Sequence, residues 1–142
     1  MLGPLALLAT AACLATPVSA DRSRVHAGPF VGALSRGFDD VGGRFSLRVG
    51  GMRTDTLSSK IPWFLSRRYT THSGELVVRG RQLDGTGTFV QRFQEAYSPS
   101  TPRQHTYPSI IDPPAEGCWR LTFAVGKVKG ALTMLARPPY GG

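Results

Sequence analysis

Between positions 117 and 125, Trp119, Leu121, Phe123 and Val125 recur at every second residue, while Arg120 and Thr122 project the other way. That alternation belongs to a strand with one face in a core and the other in solvent. Residues 126–130 follow, with Gly126, Lys127, Lys129 and Gly130 making a polar link of hairpin type before a second strand over 131–136. Trp119, Leu121, Phe123 and Val125 are therefore the expected structural core, and the rest of the chain must supply the surface that covers them.

Upstream, short alternating runs are separated by Gly and Pro. Phe45, Leu47 and Val49 predict a strand over 44–49; Leu76 and Val78 predict one over 74–79; Phe89, Gln91 and Phe93 share one face of a strand over 88–93. Residues 60–65 form an apolar patch that Pro62 assigns to a sheet edge or to a cap on the core. Leu83 is expected to make a further core contact. A strand over 105–111 is interrupted by Pro108, and residues 95–104 read as an exposed connection. No stretch after residue 20 holds helical periodicity for three turns. The fold class is accordingly all-β, a β-sandwich or a small open barrel, with Trp119, Leu121, Phe123 and Val125 expected to face Leu76, Val78, Phe45 and Leu47. The expected organisation is a signal peptide over 1–20, a loose arm over 21–43, one sandwich domain over 44–137 and a tail over 138–142.

The N-terminal assignment rests on residues 1–12, which carry no charged side chain, and on Val18-Ser19-Ala20 before Asp21, where small residues suit a signal peptidase. No basic residue precedes Arg22, which an upstream start codon would explain. Two other readings stand beside it: lipidation of Cys13 at the end of Leu8-Ala9-Thr10-Ala11-Ala12-Cys13, and an uncleaved or non-exported chain. The expected location is periplasmic, cell-surface or extracellular, with a membrane-anchored lipoprotein as the alternative. Membrane association is expected only through that lipid or through an uncleaved N-terminal segment. Cleavage after Ala20 or lipidation of Cys13 would each leave Cys118 alone, so no disulfide within the domain is expected.

The chain has a formal net charge of +8, carried mainly by arginine. Such a balance suits anionic partners. Among the arginines only Arg67 and Arg68 are adjacent, and with Trp63 they form the candidate binding surface for an anionic envelope polymer, a glycan or a protein partner. The plainer assignment makes Trp63 a cap on the core and the arginines a solvated face. Nucleic acid is disfavoured, because neither a reading helix nor a single-strand motif is present.

Chemistry is thinly represented. Cys118 is the candidate reactive thiol, with Arg120 on its face able to favour the thiolate, although a structural role is the stronger reading. His26, His72 and His105 lie far apart with no ligand-pair spacing. Asp39-Asp40 lacks an alternating oxygen-ligand loop, and Glu75, Asp84 and Glu95 have no shared element to bring them together. No catalytic residue, metal or cofactor is assigned. Convergence of Cys118 with His72 or His105 and an acid would favour an enzyme.

Several segments carry a resemblance: Lys60-Ile61-Pro62-Trp63; then Gly74-Glu75-Leu76-Val77-Val78-Arg79-Gly80-Arg81-Gln82-Leu83-Asp84; then Pro108-Ser109-Ile110-Ile111 and Gly117-Cys118-Trp119 with the terminal hairpin. Over residues 60–137 the chain resembles a family of small exported bacterial proteins of uncharacterised function. The resemblance implies an immunoglobulin-like β-sandwich outside the cytoplasmic membrane and implies no activity. Ile111-Asp112-Pro113-Pro114 departs from the more apolar Phe-Pro pair usual before the Gly-Cys-Trp strand. The combined expectation is a non-catalytic envelope-associated protein with a structural or binding task.

Overall fold

A computed structural model describes residues 13–36, 38–50, 60–72 and 74–139. Nine strands make up the described chain: β1 (Arg24–Ala27), β2 (Phe30–Ala33), β3 (Ser46–Arg48), β4 (Lys60–Ser66), β5 (Leu76–Gln82), β6 (Thr88–Phe93), β7 (Gln104–Ile110), β8 (Gly117–Val125) and β9 (Val128–Arg137). They form a four-stranded sheet in the order β1-β2-β4-β7 and a five-stranded sheet in the order β3-β9-β8-β5-β6. All pairings are antiparallel except β3 with β9. The protein is an all-β sandwich. β4 and β7 are neighbours in the smaller sheet, and β6, β5, β8 and β9 run in that order across the larger one.

Alternation places the core. From the five-stranded sheet, Leu76, Val78, Trp119, Leu121, Phe123, Leu132 and Met134 point inward and are buried. The opposing sheet supplies Phe30, Ile61, Trp63, Leu65 and Tyr107, also buried. The Trp63 and Phe123 rings meet at 4.4 Å between centroids and hold the two layers together. Leu76, Val78 and Leu47 thus sit beside Trp119 and Phe123 in one sheet, where facing positions are expected. Leu83 is nearly half exposed, since the chain leaves β5 at Gln82 before reaching it.

Pro62 lies in an interior strand, not at an edge. Its cross-strand partner on β7 is Pro108. Neither residue has an N–H, so that pair forms a non-hydrogen-bonded position of the ladder and nothing is lost there. On the other side the pairing of β4 with β2 ends at Trp63, one residue before Pro62.

The N-terminal part departs most from expectation. Residues 24–33, expected as a loose arm, form the β1–β2 hairpin, which pairs with β4 through Phe30, Val31 and Gly32. Residues 13–18 run along β9. Thr16 N–H donates to the Thr133 carbonyl at 2.8 Å, Thr133 N–H donates to Thr16 Oγ1 at 2.9 Å, and Phe45 N–H donates to the Thr16 carbonyl at 2.8 Å. Cys13 is disulfide-bonded to Cys118, which overturns the expectation that neither cysteine has a partner within the domain. Residues 1–12 of the expected signal peptide, residues 51–59 and residues 140–142 of the tail lie outside the described residues.

Candidate functional site

The outer face of the five-stranded sheet follows from the residues that do not point into the core. On β5 these are Val77, Arg79 and Arg81; on β6, Thr88, Val90 and Arg92; on β8, Arg120, Thr122 and Ala124; on β9, Lys129, Ala131 and Thr133. The register assembles them into three rows. Thr133, Arg120, Arg81 and Thr88 stand side by side; next come Ala131, Thr122, Arg79 and Val90; then Lys129, Ala124, Val77 and Arg92. Arg79, Arg81, Arg92, Arg120 and Lys129 are all exposed on this one face. Around them stand Thr, Ala and Val, so the long basic side chains overtop their neighbours.

Arg81 and Arg120 are direct cross-strand partners on the two central strands of this face. Side chains so placed have Cβ atoms about 4.5–5.5 Å apart, and like charges there destabilise a sheet. Arg120 Nη1 donates to Thr133 Oγ1 at 3.2 Å, which orients one guanidinium without neutralising it. Arg92 has Glu75 at 2.6 Å. Among the described residues no carboxylate reaches Arg79, Arg81 or Arg120. The arrangement is a platform with, among the described residues, three cations lacking a carboxylate partner at the centre, in a geometry that a bound anion would relieve.

The residues singled out from the sequence fall elsewhere. Trp63 is wholly enclosed and so cannot form part of a binding surface; it belongs to the core because its β4 position alternates with Ile61 and Leu65. Arg67 is held by the Pro102 carbonyl at 3.1 Å and by Glu95 at 3.4 Å. Arg68 is exposed and covers the Tyr69 ring at 5.1 Å. The adjacent arginines are thus diverted to local contacts. Cys118 is no thiol at all but half of the disulfide with Cys13, whose sulfur is equally committed.

His105 does meet an acid. Nδ1 lies 2.7 Å from Glu95 Oε1 and Nε2 lies 2.7 Å from the Thr70 carbonyl, with the ring fully buried. A carbonyl only accepts, so Nε2 carries a hydrogen; the contact with Glu95 requires a second proton between the two groups. Both ring nitrogens are engaged inside the protein, and neither is presented to a substrate. Cys118 is not part of this group. Asp39 is also occupied, accepting from Arg48 at 2.8 Å and pairing with Arg137 at 3.0 Å. Among the described residues no three His, Cys, Asp or Glu side chains gather as a metal site.

Adjacency along the chain does not reveal the arginine platform, because its members lie on different strands or at alternate positions of one strand. The usable signal is the phase of each strand: Arg79 and Arg81 share a face of β5, and Arg120 lies opposite the Trp119 phase of β8. No family model matches the chain, and no curated protein or solved structure matches it significantly.

Proposed function

We propose that this protein is a non-catalytic, extracytoplasmic binding module that lays an anionic polymer of the cell envelope across the outer face of its five-stranded sheet. The observation that carries the reading is the directly opposed pair Arg81 and Arg120, with Arg79 beside them and, among the described residues, no carboxylate in reach. Guanidinium groups are suited to this work, since each offers a planar fork of donors that matches carboxylate, sulfate or phosphate oxygens. Neighbouring strands and alternate residues place such groups roughly 5–7 Å apart, a spacing that suits repeated charges along a linear polymer more than a single small anion. A disulfide between Cys13 and Cys118 accords with an oxidising compartment. The net charge of +8 adds long-range attraction for the same class of ligand.

Retention on a polygalacturonate matrix over a salt gradient tests the assignment. The triple variant Arg79→Ser, Arg81→Ser, Arg120→Ser is compared with a charge-matched control, Arg24→Ser, Arg68→Ser, Arg103→Ser, also at exposed positions. The platform variant is expected to elute at clearly lower salt than the control, with both keeping the wild-type circular dichroism spectrum. Equal retention of the two variants would mean that net charge alone governs binding. Stronger retention of the wild type on DNA than on the polyuronate would replace the polymer assignment with a nucleic-acid one.

A further inference from the structure

Residues 13–18 behave as a structural part of the domain. Ala15 is only 3% exposed and Val18 only 9%. Arg44 Nη1 donates to the Ala15 carbonyl at 2.7 Å, and Val18 N–H donates to the Gly43 carbonyl at 2.9 Å. β3 pairs with β9 only at Leu135, Ala136 and Arg137. Just beyond, Thr16 takes both the N–H and the carbonyl of Thr133. The segment therefore completes the edge of β9 where β3 runs out, and it reaches past Met134 to bond Cys118 on β8. Removing residues 1–20 would strip that edge, expose Thr133 and leave Cys118 without a partner. An open strand edge of this kind is a template for intermolecular pairing.

We propose that the functional chain keeps Cys13 joined to Cys118, so that export processing falls on the N-terminal side of Cys13 and not after Ala20. The disulfide forms by exchange with an external disulfide oxidant. One cysteine thiolate attacks that disulfide to give a mixed disulfide; the other displaces it, and the oxidant leaves as a dithiol carrying the two electrons and two protons. Lipidation of Cys13 is excluded in the same molecule, because a thioether at its sulfur cannot also hold the bond to Cys118. The proposal stands independently of what the arginine platform binds.

The test uses the full chain secreted through its own leader, purified without reductant and treated with an alkylating agent before intact-mass and peptide analysis. The expected product begins at or before Cys13, is two hydrogens lighter than the dithiol form, resists alkylation, and takes up two alkyl groups once reduced. Its Thr16 and Thr133 amides exchange with deuterium slowly in the oxidised protein and faster after reduction. A product starting at Asp21, a diacylglyceryl group on Cys13, or an uncleaved chain whose cysteines alkylate without reduction overturns it. So does a Thr16 amide that exchanges at an unprotected rate.

Discussion

Tyr107 shows how one buried polar group reports on the packing around it. Its side chain is fully buried from β7, and its hydroxyl donates to the Gly74 carbonyl at 2.7 Å. Burial, reinforced by the negative charge of Glu95 and opposed by Arg67, raises its pKa from 10.0 to about 12. The folded protein therefore keeps a proton that the unfolded chain releases first. Its contribution to stability is complete below pH 10 and drains away as the pH climbs towards 12. Ultraviolet titration should reveal a tyrosinate step near pH 12 that vanishes in Tyr107→Phe, and the variant's stability should fall less steeply across that window. A wild-type titration with no such late step would place Tyr107 in contact with water. Trp119 is the complementary case: it is fully buried with Nε1 donating to the Ala115 carbonyl at 3.0 Å, as the alternation with Leu121 and Phe123 foretells.

At the scale of elements, the close approach of the β1–β2 hairpin to β9 depends on Gly130. A Cβ there would collide with the backbone carbonyl of Ala27 at the end of β1, and backbone cannot rotate aside as a side chain can. Gly130→Ala should cost about 1–3 kcal/mol by overpacking, read from denaturant melts, and should speed amide exchange in Val25 and Ala27. Unchanged stability with unchanged exchange would show that β1 does not rest on β9. This hairpin was also the element least legible in the sequence. Four-residue strands broken by Gly28, Pro29 and Gly32 offer no alternation long enough to register, and their stability comes from β4 and β9. β8 was legible because four large apolar residues alternate in it without interruption. Pro62 misled for a physical reason: a proline bars a central position only where an N–H would be used, and pairing with Pro108 removes that demand. The apolar and small residues over 13–18 suit an exported terminus and a strand edge equally well, so the sequence does not separate leader from edge there. The arginine platform needed the register between β5 and β8, which periodicity within either strand does not supply.

For the molecule as a whole, the covalent closure and the charge act in opposite directions. The disulfide spans 105 residues, and constraining so long a loop in the unfolded chain is worth about 4–5 kcal/mol on the chain-entropy account. Against it stands a net charge of +8, with three cations that lack a carboxylate partner among the described residues concentrated on one sheet face. A surface shaped only by stability would not oppose Arg81 with Arg120 on central strands, so the site should be held at a cost to the fold. Arg81→Thr tests that directly. Threonine suits a strand, and its neighbours in the row would be Arg120 and Thr88. Relief of the repulsion should stabilise the protein by about 0.2–1 kcal/mol at low ionic strength. That gain should shrink in high salt, where a Debye length of about 3 Å at 1 M screens the pair in the wild type as well. Polyuronate binding should weaken in the same variant. Thermal melts at low and high salt, paired with retention measurements, separate the outcomes: a variant less stable than wild type at low salt would mean that the two guanidinium groups do not repel, and the argument for an anion between them would fall with it.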